Sequence, residues 1–192
     1  MQEGRKGKGE GWSGDGWLEG VRRVNSPNFG IRPAATEVSL VVIHNISLPP
    51  GEFGGDAVER LFTNRLDPMA HPYFAAIAGL QVSSHFFLRR DGEAVQFVSV
   101  DSRAWHAGAS SWRGQQECND FSVGIELEGT DDTPYTALQY KRLKTLMQAL
   151  CRCYPIREVA GHCHVAPGRK TDPGPLFDWD FLKKHFPGLV FP

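Results

Sequence analysis

A loop rich in glycine and proline carries the densest group of residues that can do chemistry. Between Gly161 and Pro175 it holds two histidines, a cysteine, two cations and an aspartate. A loop of this composition follows a rigid path without filling a core, and such loops commonly hold ligands and catalysts. His162 or His164, together with Asp172, offers the donors of a zinc site, in which three protein ligands leave one position open for catalysis.

A site of this kind needs one more ligand from another element, and His44 is the candidate. It ends the apolar, β-branched run Ser39–His44, which is typical of a strand buried on both faces. Histidines at the ends of buried strands are seldom without a partner. Spacing does not choose between His162 and His164, because alternate residues of an extended segment point to the same side.

The elements that must position these residues are indicated by periodicity and by cap and turn signals. Apolar residues alternate with polar or small ones along residues 121–128, which predicts a strand with Glu126 on its polar face. Asp91-Gly92 between two β-rich runs predicts a hairpin. Three helices are expected: one after Asp56, one from the capping box at Thr136 to Pro155, and one after Asp178.

Length and composition limit the remaining possibilities. A chain of 192 residues is expected to form one domain, here residues 16–192, preceded by a flexible Gly-rich extension over residues 1–15. With 21 basic and 22 acidic residues the chain lacks the basic surface that nucleic-acid binding needs. No apolar run approaches the roughly 18–20 residues of a membrane span, and none resembles a signal peptide, so we expect a cytoplasmic protein with reduced thiols.

Four ordered blocks of sequence then point to a known family. They are Val41–Gly55, Ala104–Gly108, Cys118–Gly129 and Gly161–Pro175. Together they resemble the zinc-dependent N-acetylmuramoyl-L-alanine amidases, a family related to the peptidoglycan-recognition proteins. The resemblance covers the chain from about Gly16 onward and is closest to the cytosolic members that act on 1,6-anhydro-muropeptides.

The resemblance implies a single α/β domain, with a mixed β-sheet flanked by helices and a groove at one sheet edge. It also implies one Zn²⁺ per chain, held by His44, His162 and Asp172. Some relatives carry Asp, Asn or Glu where this chain has His164, so His164 remains conceivable as an alternative or transient ligand.

The same resemblance implies that Glu126 and Lys170 are catalytic. Zinc lowers the pKa of its water to about 7, and Glu126 would take that proton and pass it to the leaving amine. Lys170 would present a positive charge to the tetrahedral oxyanion. Without the resemblance, the sequence pattern would indicate only that Glu126 is a solvent-facing strand residue and that Lys170 is a solvated charge on a loop.

Substrate contacts are expected on several loops. Trp105 and His106 would form an aromatic and polar wall for sugar or peptide, although Trp105 is equally compatible with core packing. Arg169 would pair with a carboxylate of the stem peptide, since its planar fork suits a bidentate contact. Asn45, next to a metal ligand, would donate to the substrate backbone.

The implied activity is hydrolysis of the amide between N-acetylmuramic acid, in its 1,6-anhydro form, and L-Ala of the stem peptide. The expected substrate is a small soluble muropeptide, and the protein is expected to be a monomer that binds neither membrane nor nucleic acid. Cytosolic recycling of this kind indirectly limits β-lactamase induction. Two alternatives are a lytic amidase acting on the intact wall and a non-catalytic muropeptide-binding module; the latter typically lacks one zinc ligand.

Overall fold

A computed structural model describes residues 11–192, and most of the expected N-terminal extension, residues 1–10, lies outside this range. The expected boundary at residue 16 is nevertheless too late, because the Trp12 side chain is only 5% exposed. Its indole N–H donates to the carbonyl of Ala149, and its ring contacts Phe86 and Tyr154 edge-on. Burial of this large ring offsets the cost of ordering the glycines around it, so Trp12 belongs to the packed domain.

A six-stranded mixed sheet forms the centre of the molecule, with strand order β1-β5-β4-β9-β3-β10. Its strands are β1 (Arg22–Arg23), β3 (Leu40–Ile46), β4 (Phe86–Leu88), β5 (Ala94–Gln96), β9 (Ser122–Glu128) and β10 (Glu158–Gly161). Strand β3 pairs in parallel with β9 and β10, and β4 pairs in parallel with β9. The expected hairpin is confirmed as the antiparallel pair β4–β5. Two small antiparallel sheets join β2 (Phe29–Ile31) to β6 (Ser102–Ala104) and β7 (Ser111–Trp112) to β8 (Gln115–Gln116).

Six helices complete the described part of the chain: α1 (Ala57–Phe62), α2 (Pro72–Ile77), α3 (Cys118–Phe121), α4 (Ala137–Cys153), α5 (His162–Val165) and α6 (Trp179–His185). The capping box at Thr136 is confirmed at the start of α4, and the Asp178 side chain caps α6. Helix α1 follows Asp56 as predicted, but that side chain makes no cap hydrogen bond and pairs with Arg60 instead. Within residues 11–192 no helix is both long and apolar enough to cross a bilayer.

The core lies on both sides of the sheet. On one side, α4 and α6 pack onto alternate residues of the central strands, including Val41, Ile43, Val123 and Ile125. On the other side, separate clusters form around Phe87 and around Leu40 and Val42. The prediction that β3 is buried on both faces is confirmed for residues 40–44.

Strand β9 alternates as predicted, but its polar face is buried rather than exposed to solvent. Ser122, Glu126 and Glu128 are all at most 8% exposed. Loops and short helices cover this face, which sits opposite α4. The polar residues of β9 therefore face a protein interior, where each polar group needs a partner or a function.

Candidate metal centre and active site

Three strand ends bring the candidate residues together. His44 lies near the end of β3, its register partner Glu126 lies near the end of β9, and His162 directly follows β10. Because the carboxyl ends of parallel strands meet at one edge of a sheet, residues distant in sequence converge there.

Nδ1 of His44, Nδ1 of His162 and Oδ2 of Asp172 form a triangle with every side 3.0 Å long. In a tetrahedral zinc site with ligand distances of 2.0–2.2 Å, neighbouring ligand atoms lie about 3.4 Å apart. A slight outward shift of the side chains would reach that spacing. The donor set is two imidazole nitrogens and a carboxylate oxygen, so this group can hold a metal ion.

His164 does not join this triangle. The segment that carries both histidines is a helical turn, α5, and not an extended strand, so alternate residues point about 200° apart. Nδ1 of His164 accepts the backbone N–H of Gly161, and its ring contacts Trp179. The expectation that the imidazoles of His162 and His164 point to the same side is therefore wrong.

The far nitrogens of both candidate ligands have partners on the segment after β6. Nε2 of His44 lies 3.0 Å from Nδ1 of His106, and Nε2 of His162 lies 3.1 Å from the carbonyl oxygen of Ala107. Burial lowers the pKa of His44 to about 4 and that of His106 well below its ordinary value. Neutral imidazoles are the form that ligates metals.

Glu126 lies next to the triangle in an environment that favours proton transfer. One carboxylate oxygen is 4.0 Å from Nδ1 of His44, and the other is buried without a hydrogen-bond partner in the described part of the chain. Burial, assisted by the negative charge of Asp172, raises the pKa of Glu126 well above its ordinary value. A buried carboxyl group with a raised pKa accepts a proton more readily than an ordinary carboxylate, as a general base must.

The two cations of the loop differ in their contacts. Lys170 is exposed and lines the groove, where its charge opposes the effect of burial on the pKa of Glu126. Arg169 donates through Nη2 to the carbonyls of Ala107 and Ala109, at 2.6 and 2.8 Å. Arg169 therefore holds the segment 107–109 in place, and the Ala107 carbonyl of this segment orients His162. The expected contact of Arg169 with a substrate carboxylate stays a prediction.

A groove of about 580 Å³ opens over the triangle. Trp105 is partly exposed in its wall, which disfavours core packing as the only role of this side chain. Tyr73 and Leu80, 43% and 50% exposed, line the same groove, and the sequence reasoning missed them. The available signal was the aromatic and aliphatic run Tyr73–Leu80, in which Phe74 packs into the core while Tyr73 and Leu80 stay exposed.

Asn45 is already engaged in the structure. Its Nδ2 donates to Oδ1 of Asp131 at 2.8 Å, so the amide ties the end of β3 to the opposite rim of the groove. Asp131 was not anticipated, and the expected contact between Asn45 and substrate stays a prediction.

Comparison with known proteins agrees with this fold. The model of the N-acetylmuramoyl-L-alanine amidase family matches residues 34–175, and the chain belongs to that family. It is 58% identical over 166 residues to the 1,6-anhydro-N-acetylmuramyl-L-alanine amidase AmpD of Escherichia coli, covering 85% of this chain and 91% of the relative. The Citrobacter freundii protein of the same name is 56% identical over 180 residues, covering 93% and 94% of the two chains.

Solved structures show the same architecture. The chain is similar to the crystal structure of a selenomethionine AmpD derivative, with a TM-score of 0.86 and 55% identity over 89% of this chain and 97% of that one. It is also similar to the Escherichia coli amidase AmiD in complex with anhydro-N-acetylmuramic acid-L-Ala-D-γ-Glu-L-Lys. That match has a TM-score of 0.57 and 29% identity, and covers 80% of this chain and 60% of the other. The expected mixed sheet flanked by helices is confirmed.

Proposed function

We propose that this chain hydrolyses the amide bond between 1,6-anhydro-N-acetylmuramic acid and L-Ala of a stem peptide, as part of peptidoglycan recycling. The observation that carries the proposal is the 3.0 Å triangle of donor atoms with the buried carboxyl of Glu126 beside it. The names of the relatives that share more than half of their residues with this chain support the same substrate.

One Zn²⁺ per chain would be held by His44, His162 and Asp172, whose donor set and spacing fit this ion. When bound, zinc acts as a Lewis acid that polarises the amide carbonyl and lowers the pKa of water to about 7. Three protein ligands leave one position free, which is the arrangement of catalytic rather than structural zinc sites.

Glu126 supplies the proton chemistry. Its carboxylate takes a proton from the attacking water as the oxygen adds to the carbonyl carbon. The same group then gives the proton to the amide nitrogen of L-Ala, so that the C–N bond breaks and the peptide leaves with a neutral amine. The raised pKa of Glu126 suits both transfers, because a less acidic carboxyl group takes up the water's proton more readily than an ordinary one and then holds it for the amide nitrogen.

The neighbouring side chains bind the substrate and stabilise the charge that develops on it. Lys170 places a positive charge beside the oxyanion that forms when water adds to the carbonyl. Trp105 forms the wall against sugar or peptide, Arg169 faces a stem-peptide carboxylate and Asn45 faces the substrate backbone. The proposed substrate is a small soluble muropeptide and the proposed setting is the cytoplasm, with the protein acting as a monomer.

Elemental analysis and product mass spectrometry test this proposal together. We expect close to one zinc per chain, and release of free 1,6-anhydro-N-acetylmuramic acid and intact stem peptide from an anhydro-muropeptide. Cleavage of whole sacculi in preference to the soluble fragment would instead indicate a lytic amidase. Binding of the fragment without cleavage by zinc-loaded protein would indicate a recognition module.

A further inference from the structure

Both ring nitrogens of His106 take part in a chain of buried hydrogen bonds that ends at the metal centre. The chain begins at Ser122, whose hydroxyl donates to the carbonyl of Cys118 at 2.5 Å. With its own proton used in this way, the Ser122 oxygen accepts from Nε2–H of His106 at 3.1 Å. In a neutral imidazole the other nitrogen then carries the lone pair, so Nδ1 of His106 is an acceptor.

The consequence passes to His44. Nδ1 of His106 lies 3.0 Å from Nε2 of His44, and an acceptor at that position requires a proton on His44 Nε2. The lone pair of His44 is thereby assigned to Nδ1, the nitrogen that points at His162 and Asp172. Without this partner, neutral His44 could carry its proton on either ring nitrogen. Only the tautomer with the proton on Nε2 leaves the lone pair of Nδ1 free for a metal.

The His106 ring is held so that this bond cannot easily be exchanged for another. A Cβ atom on Gly124 would lie 2.5 Å from Cγ of His106, so only glycine at that position leaves room for the ring. Oδ1 of Asn119 accepts the backbone N–H groups of His106 and Ala107, at 3.1 and 2.8 Å, which fixes the backbone on the other side. Two neighbouring residues therefore orient the two imidazole ligands. The Ala107 carbonyl accepts from Nε2 of His162, and Nδ1 of His106 accepts from Nε2 of His44.

We propose that His106 is a positioning residue of the metal centre, which fixes His44 in the tautomer that presents Nδ1 to the ion. This inference rests on the proposed zinc-dependent function. It differs from the expected role of His106 in the substrate wall, because neither ring nitrogen is left to bind substrate. Partners of this kind behind a metal-binding histidine raise metal affinity by fixing the ring and its tautomer.

Zinc affinity of full-length variants, measured by competition with a chromophoric chelator, tests the proposal. His106→Leu removes the acceptor, and we expect its zinc affinity to fall about 10- to 100-fold. His106→Asn is the matched control, because its Oδ1 can accept at the place of Nδ1, and we expect its affinity to stay within about threefold of wild type. Equal affinity of wild type and His106→Leu would overturn the proposal.

The tautomer itself can be read by NMR of protein labelled with ¹⁵N at histidine. In wild type, His44 should carry its proton on Nε2 in both the metal-free and the zinc-loaded protein. In metal-free His106→Leu we expect exchange between the two tautomers, and a His44 signal unchanged from wild type would contradict the proposal. A merely structural role for His106 would lower stability without moving this signal.

Two further controls keep the outcome interpretable. Should His106→Leu fail to fold, Ser122→Ala removes only the hydroxyl that assigns the His106 proton. It should still shift the His44 tautomer and weaken zinc binding, and an unchanged affinity and tautomer in this variant would overturn the proposal. Wild type that binds no zinc would refute the proposed function itself, whereas tight wild-type binding that is unaffected in both variants would refute only the role of His106.

Discussion

At the scale of single residues, burial determines what each side chain at the site can do. His44 and His106 are kept neutral because their charged forms would lose hydration in the interior. Burial acts on Glu126 in the opposite sense for the same reason, raising its pKa. One physical cause thus produces neutral nitrogen donors and a carboxyl group suited to proton transfer within a few ångströms of each other.

Glu126→Gln should separate proton transfer from metal binding. The amide is nearly isosteric with the carboxyl but cannot accept the proton, so we expect kcat to fall by about 10²- to 10⁴-fold. Zinc content should stay close to that of wild type, since Glu126 does not belong to the donor triangle. A variant that retains wild-type turnover of an anhydro-muropeptide would remove Glu126 from the mechanism.

Asp172→Ala should abolish both zinc retention and turnover, because it removes one of three donors. His164→Asn is its matched control on the same loop, since His164 bonds to Gly161 and not to the triangle. We expect this control to keep its zinc and most of its activity. Loss of zinc from His164→Asn, measured by elemental analysis after dialysis, would make His164 a ligand and reverse the choice of His162.

At the scale of elements, the ends of parallel strands place the site, and helix α4 holds those strands together from behind. Gln139 in its first turn does more than complete the capping box. Its Nε2 donates to the carbonyls of Leu88 in β4 and Glu128 in β9, and its Oε1 accepts from Thr136 N–H. Gln139 therefore joins the start of the helix to two neighbouring strands that flank the site.

Gln139→Leu should destabilise the protein more than loss of the cap alone. Leucine keeps the bulk but leaves two buried carbonyls and one N–H without this partner, so we expect a loss of about 2 kcal/mol or more in the free energy of unfolding. Thr136→Ala removes the cap together with the hydroxyl's hydrogen bond to the Arg90 carbonyl, and it should cost about 1 kcal/mol. Urea unfolding measures both, and Gln148→Leu, at an exposed position of the same helix, is the matched control. Similar losses for Gln139→Leu and Gln148→Leu would contradict the bridging role.

At the scale of the whole molecule, a buried histidine away from the donor triangle couples folding to pH. Nδ1 of His85 accepts the backbone N–H of Gly124, and its Nε2 lies 3.1 Å from the Ser102 carbonyl, to which it donates. The guanidinium of Arg32 lies beside the same ring. Burial, followed by the charge of Arg32, lowers the pKa of His85 to about 3.

The unfolded chain has an ordinary histidine at this position, with a pKa near 6.5. Between pH 6.5 and about 3 the unfolded state therefore binds a proton that folded His85 does not, so stability falls as the pH is lowered through this range. The slope from this one group approaches about 1.4 kcal/mol per pH unit. Above pH 6.5 the contribution is constant.

His85→Asn should remove that contribution, because Asn does not titrate. We expect its free energy of unfolding to fall less steeply between pH 6.5 and 4.5 than that of wild type. Denaturant unfolding at several pH values, with a chelator present so that metal release plays no part, measures the two slopes. Parallel curves would show that His85 is not held neutral in the fold.

Much of the site could be read from the sequence because its signals are local. The run Ser39–His44 predicts a buried strand ending in a histidine, and the alternation around Glu126 predicts a second strand with that residue on its polar side. The loop from Gly161 to Pro175 predicts a rigid polar segment. Four blocks in the order of a known family then predicted the fold class and the activity.

What the sequence determined by itself was which residues carry chemistry and which elements hold them, since residue type and periodicity are properties of neighbours along the chain. The tertiary structure alone decided that His164 turns away on a helical turn, that Trp12 packs into the core and that His106 faces His44. The last two of these outcomes depend on contacts between segments far apart in sequence, such as the ring of His106 above Gly124, and no local pattern encodes such a contact. Packing and burial, which exist only once the chain has folded, therefore assign the final role of each polar group.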